Sequence, residues 1–123
     1  MPNVTSHHTN RRTLTELWSP RVVAEMDDAS IKVAKVHSSL AWLCHDHEDE
    51  LFLILKGNLC IEMESGSVEL GEGEMFVVPK GVRHNPVADA ECHLMLIERK
   101  TTLHRGDVMT NKTRSPAQQL RSV

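Results

Sequence analysis

Short apolar runs separated by turn-forming residues fill the chain, and almost no helical periodicity is present. Arg21–Met26 and Ile31–His37 read as two short strands around an Asp27-Asp28 turn, with Ser39–His45 as a third. Leu51–Leu55 (LFLIL) is a continuous apolar run closed by Lys56-Gly57-Asn58, which suits a strand buried on both faces or a hairpin arm. Leu59–Met63 follows, then a Glu64-Ser65-Gly66 turn and the strand Ser67–Leu70. Met75–Val78, a break at Pro79-Lys80-Gly81, and Cys92–Glu98 complete the set. Leu14–Trp18 predicts a single turn, stopped by Ser19-Pro20. Strands this short, each closed by Gly, Pro or Asn, predict an all-β sandwich or barrel.

Length and composition narrow the function classes. At 123 residues and 13.9 kDa the chain amounts to one domain. Residues 1–13 are polar and expected to be loose, residues 14–109 carry the folded unit, and residues 110–123 form a polar tail expected to be mobile. No run approaches the ~18 apolar residues that a membrane-spanning helix needs. The first residues lack the apolar stretch of a secretory signal, so the expectation is a cytoplasmic protein without membrane contact. Cys44, Cys60 and Cys92 are odd in number and fit no metal or redox spacing; they read as reduced thiols. A net charge of −3 and only four aromatic residues argue against a nucleic-acid partner. Charge is uneven, however. Residues 46–74 hold nine acids against Lys56, and residues 99–123 hold six bases against Asp107. The bases are scattered, which reads as a solvated or acid-facing segment and not an anion-binding block.

Eight histidines stand out, and two segments concentrate the chemistry. The first is His45-Asp46-His47-Glu48-Asp49-Glu50. Histidines at i and i+2 of a strand share a face, so one metal can reach both imidazoles, and Glu50 can add an oxygen. The odd separation of His47 and Glu50 requires a bulge or turn between them. A plain acidic loop with two incidental histidines accounts equally well for this segment alone. The second is Gly73-Glu74-Met75-Phe76-Val77-Val78-Pro79-Lys80-Gly81-Val82-Arg83-His84-Asn85-Pro86, where a strand runs into a rigid corner and then delivers one histidine. Alone, it reads as an ordinary strand–turn–strand with an exposed histidine.

Together the two segments resemble the paired signature motifs of the cupin superfamily. In the first motif, His-x-His, Glu50 and Gly57 are recognisable, with the family's six residues between Glu50 and Gly57. In the second, Gly73, Pro79, Gly81 and His84 match at every spacing, while the closing Asn is replaced by Ala88. The resemblance covers Trp42–Val87 and extends weakly from about Trp18 to Val108. It implies a jelly-roll-like double-stranded β-helix barrel with a short N-terminal strand extension. Counted back from Glu50, the family's second histidine falls on His45 and its first on Leu43, a register that Trp42 supports. Counted locally, His45 and His47 are the pair, with a shortened loop to Glu50. Both registers stay open.

The resemblance implies one divalent metal, Zn, Fe, Mn or Ni, held by His45, Glu50 and His84 with His47 as a further ligand. A mixed imidazole and carboxylate set does not select among these metals. Asp46, Glu48 and Asp49 would make a negative mouth that attracts cations. Lys80 and Arg83, the nearby bases, are expected to face outward at the corner. His93 reads as a core or barrel-lining histidine, Cys60 as core, and His104 as surface. Two function classes follow: a metal-dependent enzyme of dioxygenase, isomerase or lyase type acting on a small molecule, or a non-catalytic small-molecule or metal-binding module. Residues Arg21–Ala34 exceed what a minimal barrel needs, so edge-strand pairing into a homodimer is expected.

Overall fold

The computed structural model describes residues 17–100. The polar N-terminus, the tail with His104, and most of the Leu14–Trp18 turn lie outside the described residues. Among the described residues there are seven strands: β1 (Arg21–Met26), β2 (Ala29–Ser39), β3 (Glu50–Lys56), β4 (Leu59–Met63), β5 (Gly66–Leu70), β6 (Met75–Val78) and β7 (His84–Arg99). Every pairing between them is antiparallel, in the order β1-β2-β7-β3-β6, with β4 joining β7 to β5. The expected Asp27-Asp28 turn closes the β1–β2 hairpin, and Asp27 takes the positive φ of 52° that such a tight turn demands.

What turns this sheet into two facing layers is a bend shared by three strands. β3 and β4 lie end to end along β7, β3 against its C-terminal half and β4 against its N-terminal half. Gly57 joins them with a φ of 89°, and a Cβ there would stand 3.0 Å from the Glu91 carbonyl oxygen. No other residue fits both the dihedral and the gap. β2 breaks register at the same level, between Val36 and Ser38, where Ser38 has a φ of 65°. The inner faces then meet over a core that includes Val36, Phe52, Ile54, Ile61, Val78, Cys92 and Leu94. Each such buried aliphatic side chain contributes roughly 1.5–3 kcal/mol relative to exposure.

Four expectations need correction. Ser39–His45 is not a strand: β2 ends at Ser39, and only Leu43 forms a bridge, with His84. A single bridge leaves the segment without a ladder on which to extend. Cys92–Glu98 is the second half of a much longer β7, which runs through Pro86. The His84 N–H points to Leu43, so the N–H that Pro86 lacks would fall on the same flank, where β2 has already ended. Cys60 is half-buried on the outer face while Ile61 is fully buried on the inner one. His93 is likewise half-buried on the outer face, opposite inward-facing Leu94, and its Nε2 pairs with Glu91 Oε2 at 3.0 Å.

Candidate metal centre

His45, Glu50 and His84 come together in the interior, with one ligand atom of each within 4.8 Å of the others. Each arrives by a different route. Glu50 opens β3 and faces inward in step with Phe52 and Ile54. His84 opens β7 immediately after the Pro79-Lys80-Gly81 corner, and its backbone exchanges two hydrogen bonds with Leu43. His45 sits in the irregular segment before β3 and is tied to that corner by the Gly81 N–H, which donates to the His45 carbonyl at 2.8 Å. The Lys80 N–H donates to Asp49 Oδ1 at 2.9 Å and fixes the loop of residues 46–49. His47 lies in that loop, exposed and outside the three-residue group. The geometry thus groups the three residues common to both registers, with buried Leu43 at the place of the family's first histidine.

The imidazoles are oriented for a cation. His84 Nδ1 lies 3.0 Å from the Val82 carbonyl oxygen, which can only accept, so Nδ1 carries the proton. His84 Nε2 then faces Glu50 Oε1 at 3.3 Å, and His45 Nε2 faces Glu50 Oε2 at 3.6 Å. A neutral imidazole with its proton on Nδ1 presents a lone pair to the carboxylate; a proton or a metal ion between them resolves that contact. Ligating histidines commonly donate their other N–H to a backbone carbonyl in this way. The donor set therefore fits a divalent metal. Phe52 stands edge-on to His84 at 6.0 Å between ring centroids and seals one side.

Two further groups, which neither motif contains, extend the cluster. Glu98 pairs with Glu50 across β7 and β3, and Lys32 reaches it from β2 with Nζ 2.6 Å from Glu98 Oε1. The carboxyl groups of Glu50 and Glu98 lie against each other. Burial opposes the charge of Glu50, but hydrogen bonds from Glu98, His45 and His84 outweigh it and hold its pKa well below the usual carboxylate range. Burial, and next the charge of Glu50, push Glu98 well above that range despite Lys32. The surroundings thus favour the charged form of Glu50 and the neutral form of Glu98.

At the surface, Arg83 stacks over the Trp42 ring at 5.5 Å and reaches Glu64 at 3.5 Å. Lys80 and Arg83 are both exposed, as expected for the corner. Inside, a cavity of about 30 Å³ adjoins Glu50, lined by apolar side chains that include Leu43, Phe52 and Leu94. No helix among the described residues is long and apolar enough to cross a membrane.

The antiparallel all-β fold with its buried His–Glu–His group is that of a small cupin, and comparison with known proteins agrees. A family model described as a cupin domain matches residues 31–98, and the chain belongs to that family. It is similar to a cupin-2 domain containing protein from Shewanella frigidimarina NCIMB 400, with 40% identity, a TM-score of 0.76, and coverage of 78% of this chain and 94% of that one. Protein NMB1881 from Neisseria meningitidis is 26% identical with a TM-score of 0.72, over 79% of this chain and 99% of its own. TT1209 from Thermus thermophilus shares the fold at 13% identity, with a TM-score of 0.67, over 78% and 95% of the two chains. No curated protein matches at a significant level.

Proposed function

We propose that this cupin holds one divalent cation on His45, Glu50 and His84 and uses it in metal-assisted chemistry on a small molecule. The observation that carries the reading is the convergence of the buried His84 and His45 Nε2 atoms on the Glu50 carboxylate, at 3.3 and 3.6 Å. Three protein ligands leave coordination positions for water or substrate, the arrangement of catalytic rather than structural sites. A bound Zn, Fe, Mn or Ni ion would supply a Lewis acid, or with iron a dioxygen-binding centre. Dioxygenase, isomerase and lyase reactions all fall within that range. The cavity of about 30 Å³ favours a second reading, a non-catalytic binding module, because it holds roughly one water molecule. Three cysteines without a disulfide support a reducing, cytoplasmic setting. A homodimer is the proposed assembly, supported by Met75 and Val77 exposed on β6 at one end of the strand order. Light scattering that gives a single ~14 kDa particle overturns it.

The test of the site is metal content by elemental mass spectrometry after purification without a histidine tag. His45→Ala, Glu50→Gln and His84→Ala should each lose most of the metal, and His47→Ala should keep it. Full occupancy in His84→Ala overturns the site. Loaded protein with no turnover in dioxygen-uptake, isomerase and lyase assays favours the binding module.

A further inference from the structure

Three adjacent strands, β2, β7 and β3, each bury one charged or acidic side chain: Glu98 and Glu50 face each other in register, and Lys32, opposite Leu96, reaches Glu98 from the next inward position of β2. All three are at least nine-tenths buried, beside the buried His45 and His84 and a largely apolar core. A buried lysine–glutamate pair adds little stability over apolar residues of similar volume, so its presence here calls for another role. The strand order suggests one, since Glu98 occupies the middle strand. Its Oε1 takes the Lys32 ammonium at 2.6 Å, while its Oε2 is buried and bonds to no other donor among the described residues. That second oxygen belongs to the carboxyl group packed against Glu50. Glu50 lies directly opposite Glu98 in the β3–β7 register, and its two oxygens are presented separately, Oε1 to His84 and Oε2 to His45.

We infer that Glu98, clamped by Lys32, is the positioning residue that fixes the Glu50 carboxylate between His45 and His84. The inference rests on the metal reading above but concerns two residues outside both motifs. Outer groups of this kind commonly set metal affinity by 10–100-fold through the ligand they orient.

Two variants separate positioning from mere packing. Glu98→Gln keeps an oxygen for Lys32 and an amide N–H for Glu50, so it should bind Zn2+ and Mn2+ within a few-fold of the native protein. The double variant Lys32→Met/Glu98→Leu replaces the pair by apolar side chains of similar size. It should fold as stably as the native protein yet bind each metal about 10–100-fold more weakly in calorimetric titrations. Native-like affinity in the folded double variant overturns the inference, and so does a loss in Glu98→Gln as large as that in the double variant. Imidazole NMR signals of His45 and His84 in chelator-treated protein give a reading that needs no metal. They should move in the double variant and stay in place in Glu98→Gln; signals unmoved in both overturn the positioning role. If native protein binds neither metal while the NMR pattern holds, the metal reading falls and the positioning of Glu50 stands.

Discussion

His84 and Glu98 stand near opposite ends of one sixteen-residue strand, yet both lie against the same carboxylate, Glu50. A straight strand of that length would extend roughly 50 Å. His84 and Glu50 therefore meet only because β7 bends back, at the level where Gly57 approaches Glu91.

Gly57→Ala tests that dependence. The added methyl meets the Glu91 carbonyl at 3.0 Å, and the residue must hold a φ of 89°. Strain of this kind costs on the order of 1–3 kcal/mol. We expect a lowered melting temperature together with weaker metal binding, since any relaxation of the bend separates His84 from Glu50. Gly66→Ala is the comparison: its φ of 136° is also unfavourable, but open space surrounds it and β4 separates it from β7. That variant should lose stability without losing metal affinity.

The buried ion pair makes a second prediction, for metal-free protein. Lys32 and Glu98 side chains are each 2% exposed. Lys32→Met removes the donor to Glu98 Oε1 and leaves that buried oxygen unpaired, which typically costs about 1–3 kcal/mol. Lys32→Met/Glu98→Leu should recover most of that loss. Urea unfolding measures both, and additive losses in the double variant would contradict the pairing.

Much of the site is legible in the sequence because backbone corners write themselves into it. Pro79 and Gly81 locate His84 by spacing, and Gly57 locates Glu50. Leu43 and His47 leave two registers, which local counting has no means to separate. The loop that displaces His47 is held by a contact from Lys80 to Asp49, distant in sequence. Lys32 and Glu98 are hidden for a different reason. In Ile31-Lys32-Val33-Ala34-Lys35-Val36, both faces of the strand carry apolar residues and one lysine, so alternation does not tell inside from outside. The usable signal is parity alone: Lys32 shares a face with Ala34 and Val36, and Glu98 with Leu94 and Leu96. β7 reads too short in the sequence because Pro86 looks like a strand breaker unless its silent flank is known.

Thiol reactivity should follow burial. Cys92 is fully buried, and burial pushes its thiol up to about 11, whereas Cys44 and Cys60 are half-buried. At pH 8 we expect a disulfide reagent to modify Cys44 and Cys60 first, with Cys92 reacting only when denaturant is added. Rapid modification of Cys92 in folded protein would contradict its placement in the core.

The two carboxyl groups should also leave opposite marks on stability in the presence of chelator. Glu50 is held below its unfolded value, so its contribution is present above about pH 4.3 and is lost as pH falls through the folded value. Glu98 is raised, because burial and the adjacent Glu50 charge favour its protonated form. Its contribution is therefore complete below about pH 4.3 and is lost as pH rises toward and through the raised folded value. Glu98→Gln carries no titrating proton at that position and keeps the same hydrogen-bonding shape, so it escapes the loss on the alkaline side. Melting temperatures of the native protein and Glu98→Gln, measured from pH 4 to 9, should diverge in favour of the variant as pH rises. Parallel curves across that range would mean that Glu98 ionises in the fold as readily as it does in water, and the preference for its neutral form beside Glu50 would have to be abandoned.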